Sequence, residues 1–236
     1  MPIPWRPARL VKREEQTASA RTLVLEAPGW PGHLAGQHVD VRLTADDGYQ
    51  ATRSYSLAAP ADGDRLELGV QSTAGGEVSP YLVHDLPVGA AVEVRGPLGN
   101  WFVWRAEQSE PVLLVAGGSG VVPLMAMIRA RRQAASGGPF QLVYSVRGEP
   151  DLWYRDELRA GGPDLDVRVL YTRQAPPDST RAAGRLTAAD LEPAVGRLTA
   201  AGTVYVCGPT AFVETAADLL TSSGQEPARI RTERFG

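Results

Sequence analysis

The chain has 236 residues, 43% hydrophobic and 22% charged, which excludes a disordered polymer and suits two domains of about 100–130 residues each. A formal net charge of −3 and an isoelectric point near 5.7 argue against nucleic-acid binding, and Lys12 is the only lysine among 24 basic residues. The single cysteine, Cys207, excludes a disulfide framework, a four-cysteine zinc site and a built-in iron–sulfur cluster, and His33, His38 and His84 show no ligand spacing, so no metal is expected.

The opening MPIPWRP has no apolar signal-peptide core, which makes the cytoplasm the expected compartment. From there to about residue 105 the chain reads as strands, over residues 8–16, 20–26, 37–43, 49–57, 65–71 and 91–95. The gaps (APGWPGHLAG, TADDG, APADGD, LPVGA) are rich in turn residues, and only residues 78–85 read as helix. Short, evenly spaced strands of this kind predict a small antiparallel β-barrel.

The polar stretch RAEQSE at 105–110 marks the boundary, giving domains at 1–106 and 107–236. Beyond it, apolar runs alternate with amphipathic segments: strand 112–116, helix 121–133; strand 140–146, helix 152–160; strand 166–171, helix 187–195; strand 203–207, helix 211–222; strand 229–233. That alternation predicts a parallel sheet with crossover helices, a Rossmann-like α/β domain. Residues 111–128 carry no charge and approach the length of a membrane span, but GGSG and Pro123 interrupt them. A buried strand, a glycine turn and a helix start explain the run better, and no membrane association is expected.

Four short motifs could carry chemistry. Gly118-Ser119-Gly120, between the first strand and helix of the second domain, can bring backbone N–H groups to a pyrophosphate. Cys207-Gly208-Pro209 follows the fourth strand of the same sheet and so shares its carboxyl rim. In the first domain, Arg53-Ser54-Tyr55-Ser56 offers a phosphate-pairing fork and an aromatic on one strand face. Gly76-Glu77-Val78-Ser79 opens the expected helix. Taken singly, each also fits a structural role as a tight turn, a packed thiol, a solvated arginine or a helix cap.

Their order is more telling. RSYS, GEVS, GPLG at 96–99, GGSGVVP, VCGP and a terminal ERFG together resemble the ferredoxin–NADP reductase superfamily, over essentially the whole chain. The resemblance implies an FAD-binding barrel and an NAD(P)H-binding Rossmann-like domain. It implies that Arg53 pairs with the FAD phosphates, Tyr55 stacks on the isoalloxazine and Ser56 bonds near flavin N5. Ser54, Val70 and the Gly76–Glu77–Val78–Ser79 turn complete the flavin contacts. Cys207 would lie near the nicotinamide C4 beside Gly208 and Pro209. Glu233 would complete the polar set, and Phe235 would cover the flavin and gate the nicotinamide. Leu57-Ala58-Ala59 stands where the family pattern continues to another serine, removing one expected hydroxyl.

The arginines bear on the nicotinamide cofactor. Arg147 follows the second parallel strand and Thr172-Arg173 the third, with Arg181 and Arg185 next, and all could reach the adenosine end of a dinucleotide. Thr172-Arg173 matches the family's reader of a 2′-phosphate, so NADPH is expected over NADH. The implied activity is hydride transfer from NADPH to FAD and single-electron delivery to an external acceptor protein: a ferredoxin, flavodoxin, cytochrome, or oxygenase or molybdenum component. A transient partner suits a monomer. The alternatives are a reductase of free flavin or ferric chelates and a non-catalytic electron-relay subunit.

Overall fold

The computed structural model describes residues 3–134, 138–162, 164–199 and 201–235. The chain divides into two compact units, Met1–Trp104 with Met125–Ala130, and Arg105–Leu124 with Arg131–Gly236. The break at Trp104 comes two residues before the expected boundary, and six residues of the first crossover helix group with the first unit.

The first unit is a six-stranded antiparallel sheet of β1 (Arg6–Thr17), β2 (Ala20–Glu26), β3 (His38–Thr44), β4 (Gln50–Ser56), β5 (Arg65–Gln71) and β6 (Ala91–Leu98), in the order β4-β3-β6-β1-β2-β5. Its two edge strands meet through an antiparallel bridge between Leu57 and Leu68, and the Ala58 N–H donates to the Glu67 carbonyl at 2.7 Å, closing a barrel. Alternation places Val39 and Val41 of β3 inward with Leu66, Leu68 and Val70 of β5, all fully buried. The opposite face of β3 is polar and internally paired. Asp40 accepts from Arg95 at 2.6 Å, Arg42 meets Glu93 at 2.7 Å, and both guanidinium groups lie over the Trp5 ring.

The helix expected over residues 78–85 is present: residues 79–80 are α-helical and run directly into a π-helical turn, Tyr81–Asp85, which has no side-chain cap. Ser79 faces backwards instead, its Oγ accepting the Thr73 N–H at 3.1 Å. The Gly76–Ser79 turn therefore closes on itself through Ser79 and leads directly into the start of that helix.

The second unit is a five-stranded parallel sheet in the order β11-β10-β7-β8-β9, formed by β7 (Val112–Gly117), β8 (Phe140–Val146), β9 (Leu165–Tyr171), β10 (Thr203–Pro209) and β11 (Ile230–Phe235). β7 and β8 are buried along their whole length, as strands covered on both faces must be, which is why they read as unbroken apolar runs. The crossover helices are α1 (Val121–Gln133), α2 (Arg155–Ala160), α3 (Ala188–Val195) and α4 (Thr210–Ser222). Pro123 lies in the first turn of α1, where its missing N–H removes no helical hydrogen bond. α2 starts three residues later than expected, at Arg155, and a separate 3-10 turn, Glu149–Asp151, precedes it. Among the described residues no helix is long and apolar enough to cross a membrane, and no group of three or more His, Cys, Asp or Glu side chains is placed to hold a metal.

Candidate functional site

In the barrel unit, β4 carries the candidate flavin residues. Register pairs Tyr55 with Val39, Arg53 with Val41 and Ala51 with Leu43, so these three share the face of the inward valines. Tyr55 is part-buried against the barrel core. Burial pushes its phenol up to about 12 against the pull of the Arg53 charge, so it stays a protonated donor at neutral pH. The Arg53 guanidinium is exposed and lies 4.0 Å from the Glu77 carboxylate, and Tyr49 donates its hydroxyl to the same carboxylate at 3.1 Å. Arg53 is thus held at the Gly76–Ser79 loop by a solvated ion pair that an incoming phosphate can replace.

Three expected contacts are placed differently. Ser54 is on the other face of β4 and donates to Asp40 at 2.7 Å, reinforcing the Asp40–Arg95 pair. Burial acts to raise the Asp40 pKa, but hydrogen bonds from Arg95 and Ser54 hold it below the ordinary carboxylate range. Val70 and Val78 are core residues, 0% and 1% exposed, so their side chains face away from any surface ligand. Ser56 is buried at the C-terminal end of β4. The remaining set fits FAD: a guanidinium beside an amide-rich turn for the pyrophosphate, and a part-buried phenol two residues along the same face for the ring.

In the α/β unit the candidate residues line one edge of the sheet, because parallel strands all end on the same side. The chain runs β7 to β8 to β9 in one direction and then places β10 and β11 on the other side of β7, so the loops after β7 and β10 flank the switch point. These two loops interlock. A Cβ on Gly120 would stand 2.1 Å from the Cys207 carbonyl oxygen, and one on Gly117 would stand 2.6 Å from the Phe212 ring of α4. Gly120 is required by contact between the two loop backbones and Gly117 by the Phe212 ring, so the two loops form a fixed ledge.

On one side of this ledge sit the nicotinamide candidates. Cys207 pairs with Ala116 of β7 and Glu233 of β11, and Pro209 pairs with Phe235, which is the last residue of β11. Burial, with the Glu233 carboxylate adding to it, pushes the Cys207 thiol well above its ordinary pKa. The sulfur is therefore a neutral thiol.

On the other side lie the adenosine candidates. The Thr172 N–H donates to the Val146 carbonyl at 2.8 Å, and the Arg173 N–H to the Arg147 carbonyl at 2.9 Å. This extends the β8–β9 pairing past the sheet edge and sets two arginines side by side, about 5 Å apart at the backbone. Both are exposed, and neither they nor Arg185 has an ion-pair partner among the described residues. Arg181 differs from expectation. Its Nε and Nη2 donate to Asp190 at 2.6 and 2.8 Å, and its remaining donors reach the carbonyls of Ala182, Gly184 and Arg185. With every nitrogen engaged it anchors the 179–190 segment and offers nothing to a ligand.

Sequence reasoning also missed the fate of Glu149, which sits close behind Arg147. Its carboxylate is paired with Arg159 at 2.7 Å and its carbonyl accepts from Arg155, so its charge is neutralised. The signal was present in the sequence as two arginines on one short acidic-headed helix, but not the direction in which they reach.

A barrel with an exposed arginine and a part-buried phenol on one strand face, followed by a parallel sheet with a glycine turn at its switch point, has the architecture of a flavin- and nicotinamide-dependent oxidoreductase. Comparison with known proteins agrees: residues 7–103 match the oxidoreductase FAD-binding domain and residues 114–218 the oxidoreductase NAD-binding domain. The chain is 31% identical to ferredoxin--NADP reductase B of Sorangium cellulosum, over 97% of this chain and 96% of that protein. It is 30% identical to the ferredoxin--NAD(P)(+) reductase component of the naphthalene 1,2-dioxygenase/salicylate 5-hydroxylase systems of a Ralstonia species, over 97% of this chain and 70% of that one. Among solved structures, the FAD/NAD-binding domain of a Vibrio cholerae nitric oxide dioxygenase superposes with a TM-score of 0.84 at 25% identity, covering 98% of each chain. The chain belongs to the ferredoxin–NADP reductase superfamily.

Proposed function

We propose that this protein is an NADPH-preferring flavoprotein reductase that passes electrons singly to a separate redox protein. The Sorangium and Ralstonia relatives, described as ferredoxin reductases, support an acceptor of the ferredoxin or oxygenase-component class. FAD, when bound, supplies a two-electron acceptor that can release its electrons one at a time. Arg53 and the loop N–H groups of Gly76–Ser79 hold its phosphates, while Tyr55 presents a flat protonated ring and Ser56 a hydroxyl beside it.

The Gly118–Gly120 ledge takes the dinucleotide pyrophosphate. Cys207 walls the nicotinamide end, with Glu233 and Phe235 on the adjoining strand. A thiolate there would add to the electrophilic ring carbon of the oxidised nicotinamide, so burial of the sulfur as a thiol protects the cofactor. We assign gating of the nicotinamide to Phe235.

The observation that carries the preference for NADPH is the Arg147–Arg173 pair. Two adjacent exposed guanidinium groups without carboxylate partners repel each other and favour a dianion between them, and Glu149, which could have received a ribose hydroxyl, is tied to Arg159. Two charge-assisted bonds on an exposed rim contribute about 1.5 kcal/mol each, giving roughly a 100-fold preference. Stopped-flow mixing of the FAD-loaded protein with either nicotinamide tests this. NADPH is expected to bleach the flavin absorbance with the higher kcat/KM. Equal rates with NADH would remove the preference, and no bleaching by either would remove the reductase reading.

A further inference from the structure

Glu149 is held at both of its ends by one short helix. α2 carries Arg155 and Arg159 four residues apart, one above the other on a single face. Arg155 donates to the Glu149 carbonyl, and Arg159 donates to its carboxylate at 2.7 Å. A third tie lies within the turn itself, where Asp151 accepts the Gly148 N–H at 3.1 Å. Tyr154, between this turn and α2, has a φ of 52° and is the one non-glycine residue with positive φ among the described residues. A bulky side chain keeps that conformation only where packing holds it, and Tyr154 is buried. The bend that leads α2 back onto Glu149 is therefore built into the fold.

The ion pair stands beside the adenosine candidates. The Arg147 carbonyl accepts the N–H groups of Arg173 and Gln174 at 2.9 and 3.1 Å, so Glu149, two residues past Arg147, lies at the end of the same two strands. Tyr171, just before Thr172-Arg173, shares this neighbourhood. Burial raises its pKa, the Glu149 charge adds to this and the Arg159 charge opposes it, with smaller contributions from Asp178 and Arg155. The Glu149 and Arg159 side chains are 38% and 61% exposed, so a ligand can reach the carboxylate once its partner is gone.

What a free carboxylate does at this edge depends on the coenzyme. It accepts hydrogen bonds from the hydroxyls of an unphosphorylated ribose, and it repels a 2′-phosphate. We infer that Arg159 is a positioning residue for coenzyme choice: it holds and neutralises the Glu149 carboxylate, so that the Arg147–Arg173 edge takes a 2′-phosphate. Arg159 needs no contact with the coenzyme to do this. The inference rests on the NADPH reading of that edge and adds the residue that keeps the opposite preference latent.

Isothermal titration of the FAD-loaded protein with NADP⁺ and with NAD⁺ tests this without turnover. Arg159→Ala is expected to weaken NADP⁺ about 3- to 10-fold, through the uncovered Glu149 charge. It is expected to tighten NAD⁺ by about tenfold, the value of one charge-assisted hydrogen bond at an exposed position. Opposite shifts for two ligands of one site are not what a loosened fold produces. Arg159→Lys, which keeps the charge, should return most of the wild-type ratio. In a Glu149→Gln background, adding Arg159→Ala should change either affinity less than twofold, because Arg159 acts through Glu149. Equal weakening of NADP⁺ by Arg159→Ala with and without Glu149→Gln would make Arg159 a direct phosphate ligand and overturn the inference. So would an Arg159→Ala variant that keeps the wild-type NADP⁺/NAD⁺ ratio, while the NADPH preference itself would stand. Equal affinity of the wild type for the two coenzymes would overturn that preference and the inference with it.

Discussion

Arg181 separates a ligand-binding arginine from a structural one, and Arg181→Ala has a calculable outcome. Its partner, the Asp190 side chain, is 5% exposed and receives Arg181 at 2.6 and 2.8 Å, Arg168 at 3.5 Å, and the N–H and hydroxyl of Thr187 at 2.9 and 2.8 Å. Removing one member of a buried pair costs about 3–5 kcal/mol. Arg168 and Thr187 remain to compensate in part, so the low end applies, about 3 kcal/mol. For a unit of this size that lowers Tm by about 10 °C. Burial alone would raise the Asp190 pKa, but the Arg181 and Thr187 bonds and the Arg181 charge bring it below the ordinary carboxylate value. A depressed folded-state pKa gives stability that is present above the unfolded-state value and lost as pH falls through the folded one. The wild-type advantage over the variant should therefore be flat from about pH 5 to 8 and shrink below about pH 4. Urea unfolding across this range, together with KM for both nicotinamides, checks it. A variant that keeps wild-type stability while its KM for NADPH alone rises tenfold would refute the argument and return Arg181 to the ligand.

Other expectations follow from the same geometry. Arg173→Ala should raise the KM for NADPH about tenfold and leave NADH nearly unchanged, because it removes one charge-assisted bond at an exposed position; steady-state kinetics with both cofactors measures this. Gly120→Ala places a Cβ 2.1 Å from the Cys207 carbonyl, so the two rim loops must part, and isothermal titration should show NADPH affinity reduced more than tenfold. Gly118→Ala meets open space and bears only the left-handed backbone strain of about 1–2 kcal/mol, so it should be the milder of the two. His33 accepts the Trp30 indole N–H at Nδ1 (3.1 Å) and donates from Nε2 to the Ala59 carbonyl (2.9 Å), an arrangement only the neutral ring allows. Burial lowers its pKa, partly opposed by the Ala59 bond, so stability should fall as pH drops below about 6.5, and His33→Gln should flatten that dependence in urea titrations.

Most strands were legible because their burial is regular. β5 alternates, β7 and β8 are buried throughout, and both patterns are local. The motif order was legible because turns after parallel strands must share a rim. What stayed hidden depends on partners distant in sequence. Ser54 sits in a flavin-like motif, yet Asp40 on the neighbouring strand claims it. Arg181 lies among ligand-type arginines, yet Asp190, nine residues on, takes its guanidinium; the Thr187–Asp190 spacing of a helix start was the available clue. The first-domain helix was legible, but not the side chain at its start: Ser79 bonds back to Thr73 rather than capping forward.

The interlocked glycines divide the sheet edge into halves with different evolutionary freedom. Around Gly117, Gly120 and Gly208 backbone lies against backbone or ring, so almost any substitution there disturbs two elements at once. Arg147 and Arg173 have no packing duty, and their side chains can change without moving a strand. Replacements at the exposed arginines can therefore accumulate without disturbing the sheet, while the interlocked turns beside them stay frozen.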